Sequence, residues 1–143
     1  MTPDEEATFT AFVAEHGNGL LRYARLLFGD LHEAEDGLQT ALIRVVGRWD
    51  KATAAPVAYT RTVLRNLAID GGRRRHLVPL TTAQPPDASH VSDIADAQAA
   101  AASLDAMLAM LPPRQRVTVV LRVLDGLSEA ETATAMKIGR AHV

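Results

Sequence analysis

The sequence predicts an all-α fold. Of its 143 residues 48% are apolar, and alanine, the strongest helix former, fills 25 positions. Apolar side chains recur at intervals of three and four along most of the chain, the spacing of one helix face. No run alternates apolar and polar residues long enough to make a strand. The length suits one medium domain or two very small ones.

The elements follow in order. Thr2-Pro3-Asp4-Glu5 joins an N-cap, a proline at the first helical position and a reciprocal Glu. Phe9, Phe12 and Val13, then Leu20, Leu21, Ala24, Leu27 and Phe28, form apolar stripes. Gly17-Asn18-Gly19 divides them into two helices, and Gly29 stops the second. Asp30 with Glu33 caps a third helix, whose stripe is Leu31, Leu38, Leu42, Val45 and Trp49. The loop "DKATAAP" leads to a fourth helix, "VAYTRTVLRNLAID", ended by Gly71-Gly72 and trailed by three arginines. From Leu77 to Asp93 the prolines at 79, 85 and 86, amid Thr, Ser and Asp, mark a mobile linker. A second helical unit begins with "DAQAAAASLDAMLAML", striped by Leu104, Met107, Leu108 and Leu111; Met107 and Met110 read as core filler. Pro112-Pro113 ends that helix and opens "RQRVTVVLRVLDG", closed by Gly126. The β-branched run from Val117 to Val120 could form a strand, but its flanks favour helix. Ser128 and Glu131 then form a capping box.

Composition excludes several function classes. Without cysteine there is no disulfide and no thiolate zinc site. The apolar runs fall far short of a membrane span, and the acidic N-terminus does not suit a signal peptide, so a soluble cytoplasmic protein is expected. The five histidines have no metal-ligand spacing; His32-Glu33 resembles half a zinc-protease motif without its second His. Ser89-His90 and Ser92-Asp93 sit in the linker, where no scaffold could hold a triad, and Gly71-Gly72 follows a helix rather than opening one.

The net charge of −2 conceals segregation: residues 1–43 balance to −6, 44–76 to +6, 77–113 to −4 and 114–143 to +2. An acidic face followed by a basic one suggests two partners of opposite charge. On a helical wheel the fourth helix places Val57, Thr60, Val63, Leu64, Leu67 and Ala68 on one arc. Tyr59, Arg61, Thr62, Arg65, Asn66 and Arg73 fall on the other, and Arg74 and Arg75 extend the positive track. Guanidinium groups suit phosphates, an amide can read a base edge, and a ring can stack. Duplex or melted DNA fits this surface; RNA or an acidic protein would fit a similar one.

Taken together, the motifs resemble bacterial RNA polymerase sigma factors of the small extracytoplasmic-function type. "GDLHEAEDGLQTALIRVVGRW" is similar to that family's acidic-Asp-x-x-Gln segment, "AYTRTVLRNLAIDGGRRR" to its promoter-melting helix, and "LDAMLAMLPPRQRVTVVLRVLDGLSEAETA" to the start of its C-terminal domain. The likeness spans residues 5–136 with the motifs in order. It implies a four-helix region 2 bundle over residues 1–76, a linker over 77–95 and a region 4-like helix-turn-helix unit over 96–143.

It further implies that the acidic helix docks on core RNA polymerase through Glu35, Asp36, Gln39 and Arg44. The fourth helix would recognise the minus-ten promoter element and hold a flipped base in a pocket between the Lys51–Pro56 loop and Tyr59, Arg61, Thr62, Arg65 and Asn66. Arg73, Arg74 and Arg75 would grip duplex backbone upstream. No cofactor is implied, and polymerase supplies the catalytic magnesium. Some members also have an anti-sigma partner.

The C-terminus departs from the family pattern: "LSEAETATAM" matches the first helix of the helix-turn-helix, but "KIGRAHV" replaces the recognition helix. It reads as adaptor read-through ending a truncated frame, roughly 25–30 residues short, and carries no functional weight. Ala130, Ala133 and Met136 would then lack a packing partner, leaving the second unit frayed or molten. Two rival functions remain: a stand-alone helical DNA-binding regulator, and a small helical hydrolase using Asp36 and Glu33.

Overall fold

In a computed structural model the described residues are 1–77 and 96–141, with side chains for 1–71 and 103–137. They form α1 (Pro3–Phe28), α2 (Leu31–Gly47), α3 (Trp49–Ala52), α4 (Pro56–Leu77), α5 (Asp96–Ala109), α6 (Pro113–Val119), a π-helical turn (Val120–Leu124) and α7 (Glu129–Ala141). Among the described residues there is no strand, as the alanine-rich composition and helical periodicity require. The linker assigned to 77–95 falls almost wholly outside the described residues.

Local chemistry marks the helix ends. Thr2 Oγ1 accepts from the Glu5 amide at 3.1 Å, and Asp30 Oδ2 from the Glu33 amide at 2.9 Å. At Ser128 both bonds of the capping box form: Ser128 N–H donates to Glu131 at 2.9 Å and Glu131 N–H to Ser128 Oγ at 3.0 Å. Gly29 and Gly126 close their helices at φ 78° and 69°, backbone that a side chain disfavours.

The N-terminal unit has four helices, divided differently from the sequence expectation. Gly17-Asn18-Gly19 does not break α1, which runs unbroken for 26 residues. Interior glycines cost about 1 kcal/mol each relative to alanine, which burial of Phe12 before them and Leu20, Tyr23, Ala24 and Leu27 after them offsets. The chain bends instead at Arg48 (φ −124°, ψ 30°), separating Trp49 from the third helix. Trp49 thereby packs beneath α1, edge-on to Phe9 at 5.2 Å and 5.6 Å from Phe12. The glycine pair at 71–72 does not end α4, which continues to Leu77; among the described residues no positive φ occurs there.

The buried stripe of α2 is Ala34, Gly37, Ala41 and Val45, while Leu31 is exposed and Leu38 and Leu42 are half-buried. Small residues let the neighbouring helices approach closely: a Cβ on Gly37 would lie 2.7 Å from the Phe28 ring.

The C-terminal unit packs against α1 and α4. Val117, Val120 and Leu121 join Leu20, Leu27, Leu64 and Ile69 in one continuous core, and Met136 and Thr132 of α7 are buried, while Ala130 and Ala133 are exposed. Met136 thus has the packing partner that the sequence reading denied it. Among the described side chains of α5 only Leu108 is buried; Leu104 and Met107 there, and Met110 just beyond it, are exposed, at 42%, 67% and 77%, so the two methionines are not core filler. The run Val117–Val120 is helical, and the extra residue per turn at Val120–Leu124 shows in the Asp125 N–H reaching back to the Val120 carbonyl at 3.0 Å.

Candidate functional site

Two charged faces lie on the N-terminal bundle. On α2, Glu35, Asp36, Gln39 and Arg44 are all exposed, because the opposite side of the helix is fixed in the core by Ala34, Gly37, Ala41 and Val45. Asp36 lies 3.7 Å from His32 one turn earlier. Ile43, one turn beyond Gln39 on the same face, is 64% exposed and was missed by sequence reasoning, which counted apolar residues only toward the core. Beside this face a cavity of about 340 Å³ lies between α2, α4 and α6, lined by Glu33, Asp36, Gly37, Thr40, Leu67 and Arg116 among others.

On α4 the inner arc follows the wheel. Thr60, Leu64, Ala68 and Ile69 are buried and Val57, Val63 and Leu67 half-buried. Thr60 and Thr62 return their hydroxyls to the carbonyls of Pro56 and Ala58 at 2.7 and 3.0 Å. Of the outer arc Arg61 and Thr62 are exposed, and Lys51 is exposed in the preceding α3. Tyr59 and Asn66 are half-buried, Tyr59 packing against the core. The side chains of Arg73, Arg74 and Arg75 lie outside the described residues, although their backbone is helical.

Arg65 does not stand free on that arc. Its side chain is 21% exposed, with Nε 3.8 Å from Asp125 of the C-terminal unit. Arg61 Nη1 lies 4.0 Å from the same carboxylate, and its guanidinium sits 4.7 Å above the Tyr23 ring. Tyr23 donates its hydroxyl to Asp125 at 2.5 Å. Burial, and then this bond and the adjacent carboxylate charge, raise the Tyr23 hydroxyl far above its ordinary range, so it remains a donor.

These groups border an open cavity of about 570 Å³ formed by His16, the Ala55–Ala58 segment, Arg61, Arg65, Leu124 and Asp125. The cavity includes part of the set to which the sequence reading assigned the base pocket. It brings together Arg61, Arg65, Ala55 and Pro56, while Lys51, Tyr59, Thr62 and Asn66 do not line it. Tyr23 and Asp125 were missed by sequence reasoning; nothing local signals a partner so distant in the chain.

A third tie joins the two units. Arg116, buried, donates from Nε to the Leu27 carbonyl at 2.9 Å and from Nη1 to the Leu111 carbonyl at 3.2 Å. The first acceptor lies at the C-terminal end of α1, where the helix dipole favours a cation. Gly29 makes room for it, since a Cβ there would fall 2.5 Å from Arg116 Nη1.

Among the described residues no helix is long and apolar enough to cross a membrane, and no cluster of three or more His, Asp or Glu side chains could hold a metal ion.

The comparisons with known proteins agree with the order of the motifs. Residues 12–77 match Sigma-70 region 2 and residues 101–143 match Sigma-70, region 4. The chain is similar to the RNA polymerase sigma-E factor of Streptomyces avermitilis, 41% identical over 95% of this chain and 76% of that protein. It is similar also to the RNA polymerase sigma-E factor of Streptomyces coelicolor, 40% identical over 92% of this chain and 75% of that one. The ECF RNA polymerase sigma factor SigL of Mycobacterium tuberculosis is 32% identical over 97% and 82% of the two chains. No solved structure matches. On the strength of both regions in their proper order and of relatives matched along most of their length, the chain belongs to the extracytoplasmic-function-type sigma factors of bacterial RNA polymerase.

Proposed function

We propose that this transcription initiation factor uses the exposed face of α2 to dock on core polymerase and the arginine-bearing face of α4 to take the melted minus-ten strand. The polymerase contacts are Glu35, Asp36, Gln39 and Arg44. The DNA contacts are Lys51, Tyr59, Arg61, Thr62, Arg65 and Asn66, with Arg73, Arg74 and Arg75 on upstream duplex. The observation that carries this reading is the division of charge over one bundle. Carboxylates and an amide face outward from α2, and guanidinium groups border an open cavity beside the loop before α4. A carboxylate and an amide on adjacent turns suit an arginine-bearing partner helix through charge-assisted hydrogen bonds. Guanidinium groups beside a cavity suit a strand whose phosphates must be neutralised while a base is turned out.

The division into a polymerase- and minus-ten-binding unit at 1–76, a linker at 77–95 and a region 4-like unit at 96–143 belongs to the same proposal. So do a cytoplasmic location, an anti-sigma protein as an additional partner and the absence of covalent chemistry by the chain itself. The family supports these, as polymerase carries the catalytic centre.

The test mixes the purified chain with core polymerase and a fluorescent minus-ten oligonucleotide of the non-template strand. Gln39→Ala should lose the polymerase. Arg65→Ala should keep the polymerase and lose the oligonucleotide. Wild-type behaviour by both variants would overturn the assignment.

A further inference from the structure

Resting on that reading of α4, we infer that the C-terminal unit closes the chain on itself, with Asp125 seated where a promoter phosphate would sit between Arg61 and Arg65. The carboxylate reaches both guanidinium groups, at 4.0 and 3.8 Å, and only 8% of its side chain is exposed. Leu124 and Asp125 form one wall of the cavity whose other walls are Arg61, Arg65 and the Ala55–Ala58 segment. DNA and the C-terminal unit therefore cannot both hold these arginines. Two ligands that compete for one set of groups must oppose each other, whichever binds first.

The closed contact is built to yield. Both ion-pair distances exceed a hydrogen bond, and Arg65 Nε is buried without a hydrogen-bond partner. A buried donor left unmatched is a standing penalty on the closed form. A phosphate offers several accepting oxygens of the same charge sign and can hydrogen-bond guanidinium groups in the two-pronged geometry that Asp125 does not achieve here. Tyr23 supplies the remaining grip, since its hydroxyl bond aims the carboxylate at the arginines. The device thus covers Arg65 and engages Arg61 against stray nucleic acid, and surrenders both to a better-matched ligand.

Phosphate contacts are blind to sequence, so the test needs no promoter. Binding of the full chain to a fluorescein-labelled oligothymidine strand of about twenty nucleotides is followed by anisotropy. Asp125→Asn should bind about tenfold more tightly than wild type, as expected for a modest coupling between sites. Tyr23→Phe, which spares the charge but loses the aiming bond, should gain about threefold. Glu129→Gln removes the same charge from an exposed position of the same unit and should stay within about twofold of wild type. Adding Arg65→Ala to Asp125→Asn should erase the gain.

If Asp125→Asn binds no tighter than Glu129→Gln while Arg65→Ala still weakens binding, the closure is overturned and the reading of α4 survives. If no chain binds the strand or polymerase, both are overturned. Should Asp125→Asn fail to fold, Tyr23→Phe decides: a gain supports the closure, and no gain overturns it.

Discussion

The Tyr23 hydroxyl donates to Asp125 across 102 positions of the chain, joining the middle of α1 to the end of the π-helical turn at 2.5 Å. The phenol is pushed far above its ordinary value of 10.0, first by burial and then by this carboxylate. A group whose folded value is raised contributes stability that is whole below the unfolded value and is lost as pH rises toward the folded one. Stability should therefore decline from about pH 10 upward. In Tyr23→Phe that alkaline decline should be shallower, and an absorbance titration should lack the phenolate that otherwise forms only with unfolding. The substitution should also cost about 1 kcal/mol at neutral pH, by urea unfolding.

Arg116→Ala should destabilise the chain by about 2–3 kcal/mol, because it leaves the Leu27 carbonyl without its charged donor. Gly29→Ala should cost about 2 kcal/mol, from a side chain at φ 78° and from collision with Arg116. The double variant should cost less than the sum, since truncating the arginine removes the collision. Additive losses in a urea double-mutant cycle would contradict this.

Ile43→Asp should leave the unfolding midpoint unchanged, because Ile43 touches little of the core. It should weaken binding to core polymerase about tenfold, as loss of an apolar anchor at the centre of a polar face would. Fluorescence-detected titration with labelled polymerase checks both halves of the expectation.

The Ser128 amide and hydroxyl hold the Glu131 carboxyl below its ordinary value of 4.5. Depression of an acid contributes stability above the unfolded value that is lost as pH falls through the folded one. Amide exchange in α7 should accelerate from about pH 4.5 downward, beyond the intrinsic trend. Glu131→Gln, which still accepts a hydrogen bond, should lack that extra dependence.

What the sequence disclosed follows the reach of each interaction. Thr2, Asp30 and Ser128 were legible as caps because their partners lie three residues away. Gly29 and Gly126 were legible because their helices required left-handed backbone. The glycines at 17, 19 and 71 misled, because whether a helix survives an unfavourable residue depends on burial to either side. Met107 and Met110 misled because an apolar stripe does not say which side of it meets a neighbour. The α4 wheel gave the right inner arc but could not show that a distant acid covers Arg65. Charge sums over segments revealed the acidic and basic faces, yet the carboxylate that engages Arg61 and Arg65 was lost in a segment of balance +2.

The widened turn at Val120–Leu124 has a mechanical result. It carries one residue more than an α-helical turn, and an α-helix rotates about 100° per residue. Were this stretch to regularise, Asp125 would swing by roughly that angle off the groove and release Tyr23, Arg61 and Arg65 together. A backbone irregularity of five residues thus ties the pitch of one short helix to the contact of Asp125 with Tyr23, Arg61 and Arg65.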